Sequence, residues 1–323
     1  MDHPPLRHQL KPKKEKRLMM NTYCTSLFVW LSYLTPLAAF TPSMGSNERR
    51  SRCHLGLQAE SVANDHTYLP IQVVDSMPEW LPEASKLKNQ YYLLRHGQST
   101  SNVEGIISSD RTLAYSSRHG LTELGETQAA DAAQPLLELI QSHEKSKKDT
   151  MNTRVVFCAS PFARAHETAQ VCRDRLVQLL TSSDTEASLA VDETIDLRDE
   201  LVERNFGRLD GQELFTYAYV WPLDKFNVTH TAFGTESVAA VCHRIRQCIL
   251  QLEQDYQNCH IILTSHADVL QITQLYAAQH DNVGEFSSFR FTNGEVRPMT
   301  VGSTANLPPP SPLPRPVRGT FIA

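Results

Sequence analysis

No two of the seven cysteines stand at C-x-x-C spacing, and their number is odd. That pattern argues against a disulfide framework and against a zinc site. The cysteines read instead as small buried hydrophobes of a reducing compartment. Positive charge in excess is also missing: the formal net charge is −5, which gives no compositional support for nucleic-acid binding. The apolar run from Leu27 to Phe40 (LFVWLSYLTPLAAF) is short and contains Pro36, so it falls below the ~20 apolar residues that span a bilayer. No long-period repeat is visible.

What is present begins with a distinct N-terminus. Residues 1–17 carry Arg7, Lys11, Lys13, Lys14, Lys16 and Arg17, ahead of the apolar run. Basic residues followed by a short apolar stretch have the layout of a signal peptide; a single-pass anchor is the alternative. Met19 and Met20 are further candidate starts, and either would keep the apolar run. The run ends in Leu37-Ala38-Ala39-Phe40-Thr41-Pro42, which resembles the cleavage site of bipartite plastid presequences in algae with secondary plastids. The next stretch, SMGSNERRSRCHLGL, is hydroxylated, basic and poor in acids, as a transit peptide is. The expected organisation is therefore a signal-type segment over 1–40 and a transit peptide or linker over 41–88. A folded domain spans 89–300, and a proline-rich tail follows over 301–323. The expected address is a plastid, with secretion or the ER lumen as alternatives, and no stable membrane span remains after processing.

Between 89 and 300 strands and helices alternate. Tyr91–Leu94, Arg154–Ala159 and His260–Thr264 read as buried strands. Helices are expected from Thr122 to about His143, from Phe162 to Leu180, from Ser237 to Tyr256 and from Ala267 to about Ala278. Asn293-Gly294 is a turn signal with strand-like flanks, FRF and EVRPM. Alternation of this kind implies an α/β fold, three layers α/β/α around a mainly parallel sheet. In such sheets sites gather beyond the carboxyl ends of the strands.

The tripeptide Arg-His-Gly occurs twice, at Arg95-His96-Gly97 and Arg118-His119-Gly120. The first copy ends a strand and the second lies in a polar loop, so position selects His96 and leaves His119 as a coincidence of composition. Two other strand ends deliver Arg164 and His266. Two arginines and two histidines around one small volume suit a phosphate dianion, because the guanidinium fork matches phosphate oxygens. A helix starting after Ser265 can aim N–H groups at the same charge.

These residues resemble the histidine phosphatase superfamily, which includes the cofactor-dependent phosphoglycerate mutases. R-H-G-x-[ST]-x-x-N stands as Arg95-His96-Gly97-Gln98-Ser99-Thr100-Ser101-Asn102. LTELG-x-x-QA stands at Leu121–Ala129, and SP-x-x-RA-x-x-TA at Ser160–Ala169. L-x-E-R-x-x-G stands at Leu201–Gly207, E-S-x-x-x-V at Glu236–Val241, and the second histidine in Ser265-His266-Ala267.

The resemblance implies a phosphoglycerate mutase-like fold and a metal-free, cofactor-free reaction on a small phosphorylated substrate. It makes His96 the nucleophile that becomes phosphohistidine, with its other ring nitrogen donating to a carbonyl near Gly97. Arg95, Arg164 and His266 hold the phosphoryl oxygens. Gly97 allows close backbone approach to phosphate, and Ser99 and Asn102 donate to phosphate or substrate, or else cap the loop. Arg204 contacts substrate or forms a surface ion pair. Glu203, in competition with Asp199 and Glu200, is the general acid and then the base. Mutases of the family carry a long insertion after the acidic segment and a tryptophan at the position of Ser101. Neither is present, which favours a phosphatase. A mutase, or a degenerate phosphate-binding regulatory protein, is the alternative. Residues 104–120 and 208–235, with Tyr115, Phe215, Tyr217, Tyr219 and Trp221, are expected to line the pocket mouth.

Overall fold

Strand β1 (Gln90–Arg95) alternates its side chains between two cores. Tyr91 and Leu93 enter one, and Tyr92 and Leu94 the other. The same division runs through β2 (Thr153–Ala159), where Val156 and Cys158 oppose Val155 and Phe157. A strand buried on both faces needs apolar residues at every position, which explains the continuous runs in these segments. The computed structural model describes residues 72–146, 153–182 and 189–312. The signal segment assigned to 1–40, the transit stretch as far as residue 71 and the end of the proline-rich tail lie outside the described residues.

The elements between the strands follow in order. After β1 come the short helices α1 (Thr100–Glu104) and α2 (Arg111–Ala114), then α3 (Glu123–Asp131) and α4 (Ala133–Ser146). After β2 come α5 (Ala163–Ser182), β3 (Leu189–Val191) and β4 (Asp196–Leu197). Single turns and α6 (Trp221–Phe226) fill the stretch before α7 (Val238–Asp255). The chain then forms β5 (Cys259–Ser265), α8 (Ala267–Ala277) and β6 (Val296–Pro298).

The sheet has six strands in the order β3-β2-β5-β1-β6, with β4 also paired to β2. All pairs are parallel except β6, which runs antiparallel to β1. Residues of α4 and α5 cover one face, including Leu136, Ile140, Cys172 and Leu176. Residues of α7 and α8 cover the other, including Val241, Ile245, Leu270 and Leu275. The result is the three-layer α/β/α architecture with a mainly parallel sheet that the sequence predicts. The five described cysteines are free and buried. No described helix is long and apolar enough to cross a membrane.

The structure differs from the sequence reading in four places. The helix expected from Thr122 to His143 is two helices meeting at Ala132. Pro135 lacks the N–H that would bond back to Asp131, so the ladder cannot run through. The FRF flank is not a strand; Phe289 and Phe291 are core residues, and only Val296–Pro298 pairs with β1. Residues 77–88, read as the end of a linker, pack on the domain. Leu81 is buried, Trp80 stacks on Tyr276 at 5.4 Å, and Met77 and Leu87 lie against the core. The described start of the proline-rich tail is likewise docked, with Val301 and Leu307 against the same core and Ser311 N bonded to Ser288 O at 2.6 Å.

Candidate active site

Register brings the two histidines together. Arg95 pairs with Ser265 across β1 and β5, so His96 and His266 follow side by side. A backbone bond from His96 N to Ser265 O at 3.0 Å holds the ends level. Their rings lie 5.2 Å apart, and both residues are buried. Ala159 pairs with Thr264 across β2 and β5, which delivers Ser160 to the same rim. Ser160 Oγ is 2.9 Å from His266 Nε2. Arg164, in the first turn of α5, is buried beside them. The ring of Phe162 lies 5.3 Å from His266 and 5.4 Å from the Arg164 guanidinium, backing both.

The His96 ring is oriented by its own loop. His96 Nδ1 lies 2.7 Å from Gly97 O. A carbonyl can only accept, so Nδ1 carries the hydrogen and Nε2 keeps its lone pair. Burial, then Arg164 and Arg95, push the His96 pKa well below its ordinary value, so the ring is neutral. Burial, with Arg164 and His96, does the same to His266, whose buried Nδ1 has no partner. A phosphate dianion reverses that balance, because a negative charge favours the imidazolium. The N-terminus of α8 begins at His266 without a side-chain cap, so its first N–H groups add to the positive field.

The arginines divide their donors. Arg95 gives Nη1 to Phe291 O at 2.6 Å, and its buried Nε has no partner. Arg164 donates to Ser108 O at 2.8 Å. Burial lowers its pKa to about 10, which still leaves it charged at neutral pH. A guanidinium has five donors, so both side chains retain hydrogens for phosphoryl oxygens.

Glu203 is buried and its pKa is raised by desolvation, against the pull of Arg164, the Arg204 N–H, Arg95 and Arg244. The raised pKa favours the protonated carboxyl. Asp268, in the first turn of α8, was not among the sequence candidates. It is buried and raised to about 7 by desolvation and by Glu203, and it accepts from Trp221 Nε1 at 3.1 Å. Its position two residues beyond His266, on the turn aimed at the anion, is the signal that could have found it. Tyr217 also belongs here. Its pKa is well above ordinary, through burial and through Asp268 and Glu203, and its ring stacks on Trp221 at 4.5 Å. Beside Glu203 a cavity of about 130 Å³ is lined by Arg111, Phe162, Asn205 and Arg244, among others.

Four of the expected substrate contacts have partners within the protein. Gly97 donates its N–H to Thr168 Oγ1 at 3.0 Å instead of approaching phosphate. A Cβ on Gly97 would stand 2.2 Å from Gly125 O, so the glycine admits α3 and not a ligand. Ser99 and Asn102 form a reciprocal capping box on α1, and Ser99 is fully buried against Ser101. Asn102 Oδ1 is further tied to Asn293 Nδ2 at 3.3 Å. Arg204 is neither a substrate contact nor a surface residue. It is buried in a bidentate pair with Asp224 at 2.7 and 2.8 Å, and its Nε donates to Glu236 O at 2.7 Å. Of the competing acids, Asp199 accepts from Arg111 at 3.1 Å on the exposed side, leaving Glu203 as the buried carboxyl.

A model of the histidine phosphatase superfamily (branch 1) matches residues 91–305. No curated protein matches the sequence. Among solved structures, a mycobacterial hydrolase is 18% identical, with a TM-score of 0.48 over 64% of this chain and 89% of that one. A mycobacterial glucosyl-3-phosphoglycerate phosphatase in complex with VO3 is 17% identical, with a TM-score of 0.47 over 67% and 99%. The product of an open reading frame of Mycobacterium tuberculosis is 20% identical, with a TM-score of 0.45 over 67% and 97%.

Proposed function

Because the chain belongs to the histidine phosphatase superfamily, we propose that it is a phosphomonoester hydrolase working through a phosphohistidine on His96. The observation that carries this reading is the neutral His96 ring, locked through Nδ1 to Gly97 O, with His266 and Arg164 beside it. The Nε2 lone pair attacks phosphorus in line, and the bond to the ester oxygen breaks. Glu203 gives its proton to that oxygen, and the alcohol leaves. A water then attacks the phosphohistidine, Glu203 takes the water's proton, and the N–P bond returns its electrons to Nε2. Arg95, Arg164 and an imidazolium at His266 balance the oxygens through both steps.

Water as the acceptor is supported by the short connection from Gly207 to Glu236, built of single turns and the six-residue α6. No long insertion shields the intermediate there. The family match supports a small phosphorylated substrate, whose alcohol is the leaving group. The test is a panel of phosphometabolites on protein starting at residue 72, with phosphate release and mutase products both assayed. Phosphate release with an acid-labile phosphoryl group on His96 is expected, and His96→Ala lowers kcat by roughly a thousandfold or more. Unchanged turnover in His96→Ala overturns the reading, and phosphoryl transfer to a second substrate hydroxyl replaces it with the mutase. We further propose a plastid address carried by residues 1–71. A fluorescent fusion of those residues that is secreted or held in the ER would exclude it.

A further inference from the structure

The second Arg-His-Gly copy has a place in the site. His119 is 2% exposed, and its Nδ1 lies 2.8 Å from Ser108 Oγ. Ser108, 8% exposed, is the residue that meets the Arg164 guanidinium. Its carbonyl accepts from Nη2 at 2.8 Å, and its hydroxyl lies 3.5 Å from Nη1. Three buried side chains therefore stand in a row, His119, Ser108 and Arg164.

The directions of the donors follow from elementary constraints. Arginine only donates, so Ser108 Oγ accepts from Arg164. The serine hydrogen is then free to point at His119 Nδ1, which is the bare nitrogen in the tautomer that turns Nε2–H toward Glu104. The imidazole hydrogen is left on Nε2, facing Glu104 Oε2 at 3.9 Å. Burial, together with the charges of Arg164 and Arg118, lowers the His119 pKa against the pull of Glu104 and Asp210, which agrees with a neutral ring. The residues on either side of the serine are anchored: Ile107 N bonds to Gln212 O at 2.8 Å, and Ser109 N to Asp210 Oδ1 at 2.5 Å. The hydroxyl thus bridges His119 and Arg164, and with the Ser108 carbonyl it gives the guanidinium two points of contact.

We propose that His119 is a positioning residue: through Ser108 it fixes the Arg164 guanidinium in the orientation that receives a phosphoryl group. The inference rests on the reading of Arg164 as the phosphate clamp. Asparagine carries an acceptor close to where the Nδ1 of histidine stands, whereas leucine fills similar space without one. The two substitutions therefore separate the acceptor from the packing.

The experiment measures the Kd of inorganic phosphate, kcat, KM and thermal unfolding for His119→Asn, His119→Leu, Ser108→Ala and Arg164→Gln, alone and combined. His119→Leu and Ser108→Ala are expected to weaken phosphate binding on the order of tenfold, the worth of one hydrogen bond to a charged group. His119→Asn stays close to wild type. Neither loss is expected to persist on top of Arg164→Gln, because members of one chain do not add. Wild-type phosphate affinity in a folded His119→Leu, or an undiminished loss in the Arg164→Gln background, overturns the proposal. Should His119→Leu not fold, Ser108→Ala, which removes a single hydroxyl, decides by the same criteria. Phosphate affinity unchanged in Arg164→Gln alone would instead overturn the clamp reading, and the relay with it.

Discussion

Glu203 and Asp268 are two buried carboxyls whose protons are held above the ordinary range, and each negative charge hinders the ionisation of the other. Such a pair titrates together. A general acid must be protonated, so the rate is expected to fall on the alkaline side as the pair loses its proton. Asp268→Asn removes a negative charge beside Glu203. Glu203 then releases its proton more readily, and the alkaline limb of the pH–rate profile moves to lower pH. Loss of all turnover in Asp268→Asn would mean that Asp268 is the proton donor itself. The same shifts carry a stability consequence. The folded state binds protons that the unfolded chain releases, so stability falls as pH rises from the carboxylate range to about 7. Denaturant unfolding across that window checks the sign, and Asp268→Asn flattens the fall. Motifs identified His96, Arg164, His266 and Glu203, because each follows a recognisable strand end or acidic segment. They could not reveal that Gly97, Ser99 and Asn102 have partners within the protein. Only the partners across the chain, Thr168, Gly125 and Asn293, decide that.

Among the elements, the loop after β1 and the start of α3 touch backbone to backbone. Cβ atoms placed on Gly97 and Gly125 would stand 2.2 Å from Gly125 O and 2.0 Å from Gln98 O, respectively. Neither backbone can yield as a side chain would. Gly97→Ala is expected to cost about 1–3 kcal/mol, as overpacking does, and to lower kcat further by displacing His96; unfolding and kinetics measured together separate the two. Arg204 ties the acidic segment to α6 and α8 through Asp224 and Asp268. Removing one partner of a buried pair strands the other charge, so Arg204→Met is expected to cost about 3–5 kcal/mol. The loss should appear in the melting temperature; a folded variant with raised KM alone would restore Arg204 as a substrate contact. From sequence this arginine beside a glutamate reads as a surface ion pair or a substrate contact, because Asp224 lies twenty residues away in the six-residue α6, too short to show a period.

For the whole molecule, the alternation of buried strands and helices was legible because a sheet covered on both faces demands it. The domain edges were not. Trp80, Leu81, Val301 and Leu307 are isolated apolar residues among prolines and polar groups, and a lone residue has no period to read. A chain starting at residue 89 is therefore expected to melt below one starting at residue 72. Burial of Leu81 alone contributes about 2 kcal/mol, and calorimetry of the two chains measures the difference. The buried cluster of Arg95, Arg164, His96 and His266 has a last consequence, one for turnover. Under the proposed hydrolysis, a clamp on the phosphoryl oxygens holds the departing phosphate as well as the arriving ester. Steady-state rates should be limited by release once chemistry is fast, and inorganic phosphate should inhibit competitively. The enzyme would then slow where phosphate accumulates, its output set by the phosphate level of its surroundings as well as by its substrate.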